Sequence, residues 1–191
     1  MADSRQWIGS RARTVGPMTT ETTTPIGSAV FTVLASPVGD LTITGDRDGR
    51  VTGIWFDDGP VDPGPDRTAG LERDDVALAA AVTQLREYFA GDRTEFDLPL
   101  ATSGTSFQQA VWTQLATIPY GETRSYGELA AAVGAPGSAR AVGLANGSNP
   151  IPIVVPCHRV IGANGSLTGY GGGMDRKRIL LDLESGISPM L

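Results

Sequence analysis

The run Ile151-Pro152-Ile153-Val154-Val155-Pro156-Cys157-His158-Arg159-Val160 decides how this chain is read. Its first half is apolar and β-branched, which predicts a short buried strand over Ile153-Val154-Val155-Pro156. Its second half holds the only cysteine and the only histidine among 191 residues, side by side. Strand ends are where α/β folds commonly set reactive groups. Thiolate is a protein's softest nucleophile, and imidazole is suited to take its proton near pH 7. A lone cysteine is also often a small buried hydrophobe. Context favours chemistry here. Pro156 fixes the backbone before Cys157, and Gly162, Gly165, Gly169 and Gly171-Gly172-Gly173 follow, where a substrate could approach the main chain. That glycine run lacks the Lys-Ser/Thr of a phosphate loop, and by itself fits ordinary turns.

Adjacent residues seldom bring their side chains together, so His158 reaches Cys157 only across a turn or through a water. Imidazole also needs an acceptor that fixes its tautomer. Glu184 is available on the last helix, although its spacing alone reads better as a solvated helix-end acid. Three reaction classes use such a cysteine. A cysteine hydrolase needs an oxyanion hole, which no spacing here predicts. A zinc deaminase needs Pro-Cys-x-x-Cys, and Val160 stands where the second Cys belongs. A single-use alkyl acceptor needs only a thiolate, a base and a pocket.

Working outward, Thr105-Ser106-Phe107-Gln108 and Ser125-Tyr126-Gly127-Glu128 are capping boxes that open two helices. The second runs to Val133, and Gly134-Ala135-Pro136-Gly137 turns the chain into a helix over 138–146 closed by Gly147. This pair suggests a helix-turn-helix. Its second helix carries small residues, Ala139, Ala141, Gly143 and Ala145, with Arg140 as the one long probe. Small residues suit tight core packing or close approach to a nucleic-acid backbone. A closing helix runs from Met174 to Glu184 and stops near Gly186.

Upstream, residues 28–56 alternate apolar and polar, with Phe31 and Val33, Leu41 and Ile43, then Val51, Gly53 and Trp55 marking three strands of an antiparallel meander. Residues 57–72 read as a loop. Residues 73–90 read as a helix with Leu78, Val82, Leu85 and Phe89 on one face and Gly91 as its stop. Phe96-Asp97-Leu98-Pro99-Leu100 reads as a short strand or extended linker, and residues 1–27 as a disordered extension. The fold class is α/β (α+β): a small N-terminal sheet with helices over 28–100, then a mostly helical unit over 101–191.

Net charge is −6, unevenly spread. Residues 1–100 carry nine Arg/Lys against sixteen Asp/Glu, and residues 101–191 carry six against five. The near-neutral second half does not veto a DNA contact, nor does it support one. One cysteine excludes an internal disulfide and a Cys-based zinc site, and a reactive free thiol suits a reducing cytosol. No apolar run approaches the ~20 residues that span a bilayer, so a soluble, cytoplasmic protein is expected.

With these residues in view, positions 105–185 resemble the O6-alkylguanine-DNA alkyltransferases, also called methylated-DNA–protein-cysteine methyltransferases. The run 151–160 carries the resemblance, with Ser125-Tyr126, Ala139-Arg140-Ala141-Val142-Gly143, Asn149-Pro150, Gly169-Tyr170 and Leu180-Leu181-Asp182-Leu183-Glu184 in order around it. The first half matches the family's N-terminal domain in layout only. The resemblance implies an RNase H-like N-terminal fold and a winged helix-turn-helix-like C-terminal unit. It implies a suicide DNA repair protein that moves the alkyl group of O6-alkylguanine to its own cysteine. O4-alkylthymine is a further possible substrate.

By resemblance, Cys157 is the acceptor, His158 takes its proton through a water, and Glu184 holds the imidazole. Tyr126 donates to guanine N3, and Asn149 bonds turn backbone. The carbonyls of Cys157 and Val160 select the exocyclic amine. The Gly171 N–H faces O6, and Pro152 and Tyr170 line the alkyl pocket. Arg140 replaces the flipped base in the stack. The helix bearing Ala139, Ala141 and Gly143 lies in the minor groove of double-stranded DNA, a groove ~6 Å wide that admits no bulky surface. No cofactor, metal or membrane partner is expected, and the protein is expected to be monomeric, with cooperative assembly on DNA left open. Some members carry Ser where Gly171 stands, so here only the backbone donor is expected at O6. A non-catalytic lesion-sensing DNA-binding module is the alternative function.

Overall fold

The computed structural model describes residues 29–57 and 66–186. The disorder expected over 1–27, and residues 58–65 of the expected loop, lie outside the described residues.

Three strands form the expected meander: β1 (Ala29–Leu34), β2 (Leu41–Asp46) and β3 (Val51–Phe56), each antiparallel to the next. The β2–β3 turn is held by Asp46, whose carboxylate accepts from the N–H groups of Asp48 and Arg50. The register shifts at Thr44/Gly45, and a Cβ on Gly45 would lie 2.3 Å from the Arg50 carbonyl, so this bulge requires glycine. The inward face of β1 is Val30, Thr32 and Leu34 rather than Phe31 and Val33. Thr32 can sit inside because its hydroxyl donates to Asp75 Oδ1 at 2.6 Å.

A fourth strand, β4 (Glu72–Arg73), pairs parallel with β1 and gives the order β3-β2-β1-β4. Helix α1 (Ala79–Ala90) starts six residues later than its apolar spacing predicts. The delay has a local cause. Asp74 Oδ1 accepts from the N–H groups of Val76 and Ala77 and holds a turn ahead of the helix. The buried stripe is Leu78, Ala81, Leu85 and Tyr88, with Val82 and Phe89 only half-buried. Gly91 ends α1 at φ 80°, as expected. The 96–100 segment is extended, and Leu100 adds to the free edge of β3 opposite Val51.

Both capping boxes form, opening α2 (Ser106–Leu115) and α3 (Tyr126–Ala132). Helix α4 (Ala139–Gly147) follows the tight turn and packs on α2 and α3, with Trp112 Nε1 donating to the Ala145 carbonyl at 2.8 Å. Its small residues divide by face. Ala145 is buried beside Val142 and Asn146, while Arg140, Ala141 and Leu144 are exposed. Helix α5 (Met174–Glu184) closes the described chain. A short parallel pair, β5 (Arg124–Ser125) with β6 (Val160–Ile161), joins the start of α3 to the segment after the cysteine. One core cluster runs from Val30 through Leu85 and Trp112 to Leu180.

The strand expected over 153–156 does not form. Pro152 and Pro156 have no N–H to give a ladder, and the segment folds as a turn in which the Val155 N–H donates to the Ile151 carbonyl. Ile153 takes φ 74°, the one positive φ outside glycine among the described residues. A β-branched residue there costs about 1–3 kcal/mol, which the surroundings must over-determine. Burial of Ile151, Ile153 and Val155 contributes to that.

Candidate active site

Asn149 organises the turn. Its Oδ1 accepts from Ile151 N at 3.1 Å and its Nδ2 donates to the Val155 carbonyl at 2.7 Å, which satisfies backbone that the prolines leave without a ladder. Cys157 then opens a single 3-10 turn, Cys157–Arg159, in which all three residues are buried. Burial pushes the Cys157 thiol up to about 11, against opposing pulls from its hydrogen bond with Asn149 and the charge of Lys177. The resting sulfur is therefore a thiol. Desolvation outweighs every nearby donor, so the neighbouring imidazole does not raise the thiolate share in this state.

His158 is fully buried. Its Nε2 lies 2.8 Å from Glu184 Oε1, and its buried Nδ1 has no hydrogen-bond partner. Burial holds the imidazolium below its ordinary value although Glu184 pulls the other way, so the ring is neutral at pH 7. With Nε2–H given to Glu184, the lone pair is left on Nδ1. Glu184 is buried, not a solvated helix end. Burial would raise its carboxyl, but hydrogen bonds from His158 and Arg159 outweigh this and hold it at about 2. Arg159 binds it through Nε at 2.8 Å and Nη2 at 2.9 Å and donates from Nη1 to the Ile118 carbonyl. The Gly121 N–H and the Tyr88 hydroxyl complete the shell.

Beside this centre, an open pocket of about 420 Å³ brings together Tyr126, Arg140, Gly143, Tyr170 and Gly171, with Ala139 and Leu144 on its α4 wall. Ala141 is exposed on α4 but does not line it, and Pro152 is buried in the turn. The Tyr126 hydroxyl already donates towards the carbonyls of Thr168 and Gly169, at 3.1 and 3.2 Å. Burial, with Cys157 close to the hydroxyl, pushes the Tyr170 phenol well above its ordinary value. The Cys157 carbonyl accepts from Asn146 Nδ2 at 3.3 Å and from the Val160 N–H. The Val160 carbonyl accepts from Lys177 Nζ at 2.6 Å. A carbonyl has two lone pairs, so Val160 keeps acceptor capacity that Cys157 has largely committed.

Three participants escaped the sequence reading. Arg159 stood inside the quoted run with no role assigned. Lys177 is fully buried in α5, and its ammonium caps the carbonyls of Val160 and Thr168, pinning the segment that carries one pocket wall. Tyr88 comes from α1. Arg159 is signalled only by its place beside His158, and the other two by nothing local.

Among the described residues no group of three or more His, Cys, Asp or Glu could hold a metal ion, and no helix is long and apolar enough to cross a membrane.

Comparison with known proteins agrees with this arrangement. Residues 106–186 match the DNA binding domain of 6-O-methylguanine DNA methyltransferase, and residues 29–102 match its ribonuclease-like domain. A methylated-DNA–protein-cysteine methyltransferase of Mycolicibacterium paratuberculosis is 58% identical over 159 residues, covering 83% of this chain and 94% of the relative. The constitutive enzyme of that name from Bacillus subtilis is 47% identical, covering 81% and 94%. The crystal structure of Mycobacterium tuberculosis OGT in complex with DNA superposes with a TM-score of 0.76 at 54% identity, covering 84% of this chain and 95% of that one. Sequence, fold and the Cys157 setting converge: the chain belongs to the 6-O-methylguanine DNA methyltransferase family.

Proposed function

We propose that this chain repairs O6-alkylguanine in double-stranded DNA by moving the alkyl group irreversibly to Cys157, once per molecule. The observation that carries this is the buried series of thiol, neutral imidazole with an open Nδ1, and ionised Glu184 at 2.8 Å from Nε2. The bond from Cys157 Sγ to the alkyl carbon forms as the bond from that carbon to O6 breaks. The thiol proton passes through a water to His158 Nδ1, and the departing guanine takes up a proton in place of the alkyl group. Tyr126 releases the carbonyls of Thr168 and Gly169 to donate to ring N3, which relieves charge on the leaving base. The Val160 carbonyl accepts from the exocyclic amine, and the Gly171 N–H faces O6.

The target atom is inside the duplex, so the base is flipped into the pocket at a cost of a few kcal/mol. Arg140, exposed at the pocket rim on α4, takes its place in the stack. The exposed face of α4 lies in the minor groove. Residues 28–100 and 101–191 act as two units of a cytoplasmic monomer, the second carrying the chemistry. O4-alkylthymine is a second substrate, since its alkylated oxygen also sits beside a ring nitrogen.

Intact-mass measurement after incubation with duplex DNA carrying O6-methylguanine tests the reading. One added methylene on Cys157, absent from Cys157→Ser, is expected. Product without modified protein, or lesion binding with no transfer, would overturn it and favour a hydrolase or a non-catalytic sensor.

A further inference from the structure

Glu184 accepts hydrogen bonds from four residues, and three of them, Gly121, His158 and Arg159, belong to the helical second half. The fourth does not. The Tyr88 hydroxyl, on α1 and 96 positions away, donates to Oε1 at 2.7 Å. This is the same oxygen that faces His158 Nε2. Tyr88 is fully buried, and its ring packs against Phe89, Phe96 and Tyr120 with centroids 5.4, 5.5 and 6.0 Å apart. That aromatic cluster aims the hydroxyl, so its contact with the carboxylate is built in.

We propose that Tyr88 is a positioning residue of the relay: the N-terminal unit supplies through it a hydrogen bond that orients the Glu184 carboxylate and sets how strongly it holds His158. The proposal rests on the relay described under the proposed function and gives the N-terminal unit a part in it.

The physical argument is one of competition. Oε1 faces three donors: Tyr88 Oη, His158 Nε2 and Arg159 Nη2. Each draws electron density from one oxygen and weakens its attraction for the others. Tyr88 thereby tempers the pull of Glu184 on His158 and adds to the burial that keeps the ring neutral, with Nδ1 open to a proton. Burial, with the Glu184 charge beside it, pushes the Tyr88 phenol far above its ordinary value, so it remains a donor at every working pH.

The charged and titratable groups around this pair come from several elements. Arg159 shares the 3-10 turn with His158, and Lys177 lies on α5 and acts on His158 at longer range. Tyr120, after α2, spends its hydroxyl on the Leu183 carbonyl at 3.3 Å. Tyr88 is thus the one hydroxyl on the carboxylate among the described residues.

Tyr88→Phe keeps the ring cluster and deletes only the donor. His158 is the sole histidine of the chain, so one imidazole NMR signal reports its titration without assignment. That midpoint is expected to move to higher pH by about half a unit, a threefold change in proton affinity. The acid limb of the single-turnover transfer rate is expected to move the same way, with a several-fold lower plateau. Tyr88→Leu, which also removes the ring, is expected to lower Tm more while shifting His158 equally. An unchanged His158 midpoint in Tyr88→Phe, or shifts that scale with Tm loss across the two variants, would overturn the proposal. Because the NMR titration needs no substrate, it decides the matter even if wild-type protein gains no alkyl group, which would sink the functional reading instead.

Discussion

Replacing Glu184 with Gln keeps the side chain's shape and removes its charge, and the structure fixes what that should cost. The carboxyl titrates at about 2 against an ordinary 4.5. A folded value below the unfolded one means the unfolded chain binds the proton more readily. The contribution is therefore full above pH 4.5 and is lost as pH falls towards 2. The difference is worth about 3 kcal/mol at neutral pH. An independent route gives a similar figure. Gln leaves the buried Arg159 guanidinium without its counter-charge, and breaking a buried pair from one side costs about 3–5 kcal/mol. For a chain of this size that is a Tm loss of roughly 6–20 °C. Thermal unfolding followed by circular dichroism at neutral pH reads it directly. The gap between wild type and variant should shrink to under half by about pH 3, where wild-type Glu184 has lost most of its advantage. A loss under about 3 °C at neutral pH, or a gap that ignores pH, would refute the claim that this carboxylate is ionised and holds the site together.

Lys177→Met removes the one positive charge that Lys177 directs at Cys157 and the donor to Val160 and Thr168. Alkyl transfer should slow about tenfold and the thiol titrate higher still, read by the pH dependence of thiol absorbance; an unmoved thiol would refute the electrostatic role. Asn149→Ala strands the Ile151 N–H and the Val155 carbonyl and should cost about 2–4 kcal/mol in denaturant unfolding, whereas a loss below about 0.5 kcal/mol would show that the turn holds itself. Arg140→Ala should slow repair of duplex DNA far more than reaction with the free alkylated base, and equal losses on both would remove its place in the stack.

Elements whose causes are local were legible in the sequence. Thr105/Gln108 and Ser125/Glu128 close their capping boxes within four residues, and α5 begins at Met174 and ends at Glu184 as read. The errors arise where a distant partner overrides the local pattern. Thr32 faces inward because Asp75 satisfies it, so β1 buries Val30 and Leu34 beside it and leaves Phe31 and Val33 on the less buried face. Residues 153–156 look like a strand by composition, but two prolines and Asn149 make them a turn. In the site, Cys157, His158 and Glu184 were found through their run and the family resemblance. Lys177 and Tyr88 were not, because a lysine or tyrosine in mid-helix looks the same whether it faces solvent or ends on a carbonyl 17 positions away or a carboxylate 96 away.

The buried thiol turns this arrangement into a constraint on when reaction can occur. A thiol at about 11 is ionised in only about one molecule in ten thousand at pH 7, far less than a free cysteine. Glu184 and Arg159 neutralise each other within hydrogen-bond range, so the relay delivers no net positive charge to the sulfur. Lys177 is a cation whose charge acts on it, and its Nζ is already committed to two carbonyls. The protein thus holds its single nucleophile quiet. In the proposed reaction, proton transfer to His158 Nδ1 becomes favourable only as negative charge develops elsewhere, on a leaving base that Tyr126 and the Gly171 N–H would stabilise. In a molecule whose one thiol can be spent once, that proposed coupling would protect the sulfur from stray electrophiles, since the groups proposed to stabilise the leaving guanine would also be those that permit the thiolate to form.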